Sequence, residues 1–124
     1  MKHFIRWLLI AFFVFAHSLL AAKGTVQAEA RGGTYLLSDA EGGVARTGRS
    51  NDLLRREAEH ARDPVLKDLD FEPVHRTDLY PEQRGLEQLL HDMYQPPLNK
   101  VRPISPKNPK LQEYMDAADS HLGK

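Results

Sequence analysis

The chain has 124 residues, 41% of them hydrophobic and 27% charged, with eight glycines, eight prolines and no cysteine. That length suits one compact domain and excludes two, and the missing cysteine excludes a disulfide framework, a thiolate zinc site and a thiol nucleophile. The formal net charge is zero, but Lys2, Arg6 and Lys23 all precede the first acidic residue, Glu29, so 14 basic residues face 17 acidic ones in the remainder. A slightly acidic body argues against a polybasic binder that works by unspecific phosphate neutralisation.

Residues 1–30 read as a targeting element: a basic start, an apolar run over 7–16, then small residues. Val26-Gln27-Ala28 and Ala28-Glu29-Ala30 each present the small residues a signal peptidase needs. Cleavage there leaves roughly 95 residues, which bury about 65% of their unfolded surface. The alternative is an uncleaved anchor, because residues 4–22 are broken only by Arg6, His17 and Ser18 and approach the ~20 that a spanning helix needs. Either way the expected location is secreted or periplasmic, or on the inner membrane if the leader stays.

Beyond the leader, 33–37 and 44–47 are strand candidates joined by Asp39-Ala40-Glu41-Gly42-Gly43, a hairpin signal. Ser50-Asn51-Asp52 offers capping oxygens for a helix over 53–62, which Pro64 ends by disfavouring helical geometry at Asp63. Its apolar face is predicted from Leu53, Leu54, Ala58 and Ala61, with Arg56 and His60 on one edge. Residues 69–77 form a third strand that Pro73 restricts to a sheet edge. Over 81–94, Leu86, Leu89, Leu90 and Met93 recur at helical spacing. Five of the eight prolines fall between 96 and 109, predicting an extended surface strap, and 110–122 predicts a short last helix. The fold class is therefore α+β: a small three-stranded antiparallel sheet flanked by helices. The divisions are a leader (1–30), a main domain (31–100) and a proline-rich strap with a short helix (101–124).

Taken singly, the chemistry-bearing residues have bland accounts: Tyr35 as packing, Arg56, His60 and Glu87 as rim residues, Asn99 as a turn former. Their joint spacing is more specific. Gly33-Thr34-Tyr35, Arg46-Thr47-Gly48, Arg56, His60, Glu87 and Asn99 stand in an order that resembles the GIY-YIG endonuclease family, over about residues 33–100. The first family motif falls on Gly33-Thr34-Tyr35 and the second on Arg46-Thr47-Gly48, where Arg46 replaces the family's tyrosine.

The resemblance implies hydrolysis of phosphodiester bonds in DNA or RNA. Tyr35 would be the general base, assisted by His60, and Arg56 would stabilise the transition state. Glu87 would hold one Mg²⁺ or Mn²⁺, since such an ion keeps several waters and needs only one or two carboxylates. Asn99 would serve the substrate side by fixing local geometry. Arg46, Arg49, Arg55 and Arg56 would form the basic patch that the acidic total lacks, with Arg46 binding phosphate bidentately in place of the phenol. No organic cofactor is implied. The segment 97–106 is similar, more loosely, to the ends of nuclease domains in secreted bacterial polymorphic toxins, which implies a toxin-like effector and an immunity protein as a further partner. The alternative is an exported nucleic-acid-binding module of the same fold without turnover. Other chemistries find no support: the histidines form no His-Glu-x-x-His pair, the serines lie in no nucleophile elbow, and no phosphate-binding Gly-x-x-x-x-Gly-Lys loop occurs. Glu87 and His91, four apart on one helix, are a further pair able to share a metal.

Overall fold

Asp39 closes the first hairpin. Its carboxylate accepts from the backbone N–H groups of Glu41 and Gly43, and Gly42 takes a left-handed φ of 85° at no steric cost. The computed structural model describes residues 29–124, so nearly all of the leader lies outside the described residues. Six elements follow in order: β1 (Gly33–Ser38), β2 (Val44–Ser50), α1 (Leu53–Ala61), β3 (Asp70–Arg76), α2 (Tyr80–Tyr94) and α3 (Leu111–His121). Among the described residues no helix is long and apolar enough to cross a membrane.

The strands make one antiparallel sheet in the order β2-β1-β3, so the described residues form an α+β architecture with three strands and three helices. Pro73 lies on the edge strand β3, where its missing donor breaks no interior ladder. Directly paired residues share a face. Tyr35 pairs with Gly48 and Leu37 with Arg46, which puts these four on one face; Thr34, Leu36, Thr47 and Arg49 take the other. Helix α1 covers the first face, where Tyr35, Leu37, Leu53 and Leu66 form a core joined by Leu69, Phe71 and Leu98. Helix α2 covers the second, marked by the Arg49–Glu87 ion pair.

Helix α1 starts as expected, with the Asp52 carboxylate accepting from Arg55 N–H at 3.1 Å. Its buried face differs from the expected one. Leu54 is 78% exposed, and Ala58 and Ala61 also face solvent. Leu53 and His60 are buried and Arg56 is half-buried between them. Residues 53, 56 and 60 form a helical stripe of their own, and it turns inward because His60 finds a hydrogen-bond partner there that Ala58 and Ala61 could not use.

Helix α2 begins at Tyr80, with Pro81 in its first turn where a missing N–H is harmless. Gln95 ends it in the left-handed region, and Pro96-Pro97 blocks continuation. Met93, expected in the apolar stripe, is exposed. Leu86 and Leu90 are buried as expected, and Gln83, Gly85 and Gln88 join them, because α2 meets both the sheet and α3.

The proline-rich stretch is not an extended strap. It folds in successive turns, buries Ile104 completely and gives the Ile104 N–H to Gln88 Oε1 at 2.9 Å. Its beginning covers the free edge of β2: Leu98 N–H donates to the Ala45 carbonyl, and Asn99 Oδ1 accepts from Thr47 N–H at 3.1 Å. A covered edge cannot template another strand.

Helix α3 packs on α2 at Gly85, where an added Cβ would penetrate the Tyr114 carbonyl and crowd Ala118. Alanine is the better helix former by about 1 kcal/mol, but the obstacle is backbone and cannot swing aside. Gly85→Ala is therefore expected to destabilise the chain by about 1–3 kcal/mol, read as a lower midpoint in urea unfolding; an unchanged or raised midpoint would show that α3 does not rest on α2 at this point.

Candidate active site

A phenol hydroxyl buried in a central strand needs a partner. Tyr35 is 2% exposed, and its hydroxyl lies 2.9 Å from His60 Nε2. The ring is held by its neighbours: Phe71 of β3 stacks on it with centroids 4.7 Å apart, and the His60 ring leans against it at 5.3 Å. Gly48, opposite on β2, leaves room for the hydroxyl, since any Cβ there would collide with it.

Burial raises the Tyr35 hydroxyl above its ordinary pKa, against the opposing pull of the Arg46 and Arg56 guanidiniums. Burial lowers His60 below its ordinary value, and Arg46 and Arg56 add to the shift. At neutral pH the pair is therefore a neutral phenol beside a neutral imidazole. Both cations act on both groups, so Arg46 and Arg56 lie near the Tyr35–His60 bond. Arg56 Nε is buried and has no hydrogen-bond partner among the described residues; its Nη1 lies 3.8 Å from Glu59. The Arg46 side chain, on the β2 strand opposite Leu37, makes neither a hydrogen bond nor an ion pair among the described residues.

Glu87 reaches the site from α2. Burial pushes its carboxyl above the usual carboxylate range, while Arg49, Arg84, Arg46 and Arg56 pull the other way. Arg49 Nε stands 3.6 Å away. A cavity of about 440 Å³, lined by Arg46, Thr47, Glu87, Asn99 and Lys100, lies on one side of it. A second of about 500 Å³, lined by Arg49, Arg55, Arg56, Arg84 and Glu87, lies on the other. The structure thus brings Tyr35, His60, Arg56, Arg46 and Glu87 to one place, around the covered edge of β2.

The remaining expected residues have more specific settings. Asn99 Nδ2 donates to Thr47 Oγ1 at 2.6 Å and to His91 Nδ1 at 3.0 Å, so Asn99 ties β2 to α2. His91 is thereby turned to Asn99. Arg49 is occupied by Glu87, by Gln83 Oε1 at 3.5 Å and by the face of Tyr80. Arg55 is exposed and pairs with Glu59 at 3.2 Å. Among the described residues no three His, Asp or Glu side chains cluster as a metal site; Glu87 is the one carboxylate that lines the two cavities, a donor type that suits Mg²⁺ or Mn²⁺.

Sequence reasoning missed Thr47, Arg84 and Lys100. Arg84 lies three residues before Glu87 and so shares its helix face, a signal available from spacing alone. Thr47 and Lys100 acquire their place only through Asn99 and the turns around it. Compared with known protein families and with curated proteins, the chain matches none.

The lowered His60 pKa has a definite consequence for stability. The unfolded chain takes up its proton near pH 6.5, before the folded imidazole does, so stability falls as pH drops from about 6.5 toward the folded midpoint. His75, lowered by burial and by His121, contributes with the same sign. In His60→Gln the slope of melting temperature against pH in this window is expected to flatten but not vanish, and an NMR titration should place the His60 midpoint below 6.5; a midpoint at or above that value would contradict the buried neutral pair.

Proposed function

We propose that the chain is an exported, metal-dependent endonuclease of GIY-YIG character that hydrolyses phosphodiester bonds of DNA or RNA, working as a toxin-like effector. The observation that carries this reading is the convergence of a phenol–imidazole pair, two nearby guanidiniums and one carboxylate from β1, β2, α1 and α2. Hydrolysis of a phosphodiester needs a base for water, positive groups fixed where charge develops, and neutralisation of the phosphate.

Tyr35 is the proton acceptor through its bond to His60. With the neutral imidazole protonated on Nδ1, Nε2 accepts from the phenol, so Tyr35 takes a proton from water as it passes its own to His60. This order suits a hydroxyl whose own ionisation is disfavoured. Arg56 stabilises the developing charge with a guanidinium that has donors to spare. Arg46, on the face of Tyr35, holds the phosphate where the family pattern has a second tyrosine. Glu87 would hold the Mg²⁺ or Mn²⁺ ion, whose contribution there is neutralisation of charge on the phosphate. Asn99 fixes β2 against α2 and so places Arg46 relative to Glu87.

The second reading is a nucleic-acid-binding module without turnover, and two observations favour it: Arg46 replaces the tyrosine, and Arg49 already pairs with Glu87. Plasmid and structured RNA incubated with the purified chain separate the two. The enzyme should nick in Mg²⁺ or Mn²⁺ and stop on chelation, and Tyr35→Phe or Glu87→Gln should each slow it on the order of 10²- to 10³-fold. Salt-sensitive binding with no cleavage under any of these conditions would establish the module instead.

A further inference from the structure

We propose that Glu87 divides a two-sided phosphate cleft, so that the nucleic-acid strand taken by this site is held through phosphates on both sides of the bond placed at Glu87. The inference rests on the reading above that the site receives a phosphodiester, and it names the part of the substrate that must be present beyond the bond itself.

The two cavities meet at Glu87 and Pro103, which line both. Glu87 is the one acidic residue in either lining. On the first side stand Arg46 and Lys100; on the second stand Arg49, Arg55, Arg56 and Arg84. Each volume falls within the range of small-molecule sites, so a single mononucleotide would occupy one side and leave the other unmatched.

The cations on the two sides differ in how they are held. On the second side Arg84 is positioned in advance: it lies over the rings of Tyr80 and Tyr114, donates to the Tyr80 hydroxyl at 2.7 Å and donates to the Pro103 carbonyl at 3.2 Å. None of these partners is an anion, so its charge remains available. Arg56 Nε is buried and unpartnered among the described residues, and Arg55 stands at the rim. On the first side the Arg46 side chain has neither ion pair nor hydrogen bond among the described residues, and Lys100, in the same lining, is exposed. Guanidiniums fixed in advance favour a ligand whose anionic groups are spaced along a chain. The linings carry few apolar anchors, which a folded protein partner would need.

The test uses the full chain in chelator, so that no cutting occurs, and a fluorescein-labelled single strand of about 12 nucleotides, within the site sizes of small single-strand binders. Binding is followed by anisotropy across a salt series, with an unlabelled dinucleotide and inorganic phosphate as competitors. Arg55→Ala on one side and Lys100→Ala on the other remove surface charges that no packing depends on. Each should lower the slope of log affinity against log salt by about one, the double variant should lose both increments, and Arg55→Lys should restore its own. The dinucleotide should compete no better than inorganic phosphate. If either single variant leaves affinity and slope unchanged, or if the dinucleotide competes as well as the long strand, the two-sided cleft is wrong. Plasmid nicking in Mg²⁺ keeps the two proposals apart. A chain that nicks but shows no slope change in one variant overturns the cleft alone. A chain that shows both slope losses and never nicks overturns the enzyme and leaves the cleft standing, and a chain that neither binds nor nicks overturns both.

Discussion

The bond between the Tyr35 hydroxyl and His60 Nε2 organises the rest of the molecule. Tyr35 sits in the middle strand of a three-stranded sheet and is 2% exposed, so its hydroxyl needs a partner within the protein. Leaving a buried hydroxyl unsatisfied costs on the order of 1–3 kcal/mol, and His60 is what removes that cost. To reach Tyr35, α1 must turn the stripe through 53, 56 and 60 toward the sheet. Arg56 is carried inward by the same rotation, and Leu54 is left in solvent. One hydrogen bond therefore places the imidazole and delivers a guanidinium beside it.

The edge of β2 is the second determinant. Alternation along an edge strand sends Arg46 to the face of Tyr35 and Arg49 to the face of α2, and both faces are reachable around the end of the sheet. Residues 98 and 99 close the backbone of that edge with two hydrogen bonds while leaving those side chains in place. Asn99 then anchors the closure to His91 on α2. Glu87 lies one helical turn before His91, so the link that protects the edge also sets where the carboxylate stands relative to Arg46. Protection of the sheet and assembly of the site are the same set of contacts.

The element order was legible in the sequence because its signals are local. The Asp39–Gly43 turn, the Asp52 cap, Pro73 at an edge and the double proline after α2 each act within a few residues. The buried face of α1 was not legible. Hydropathy ranks Leu54 and Ala58 above Arg56 and His60, and only the partner waiting at Tyr35, 25 residues away in sequence, reverses that ranking. The proline-rich stretch misled for a related reason: proline composition predicts extension, but Ile104 and the Gln88 side chain that receives its N–H draw the chain into turns. Among the expected site residues, Tyr35, Arg56, His60, Glu87 and Asn99 were picked out by their joint spacing, and the structure sets them around the edge of β2. Arg84 was within reach of spacing alone, three residues before Glu87 on one helix face, whereas Lys100 meets the cavity beside Glu87 only through the turn around Asn99.

The electrostatics give the arrangement its direction. A half-buried carboxylate surrounded by four guanidiniums would be expected to ionise readily, yet burial outweighs them and Glu87 is displaced toward its protonated form. The arginines therefore do not spend their charge on Glu87 alone, and Arg46 and Arg56 also hold His60 toward neutrality. An imidazole kept neutral by nearby cations can accept a proton, and it becomes a stronger acceptor once an anion enters and offsets those cations. A bound phosphate would act on Glu87 in the same direction, favouring its protonated form unless a cation comes with it. An anion entering beside Arg46 and Arg56 would therefore shift the proton affinities of His60 and Glu87 together.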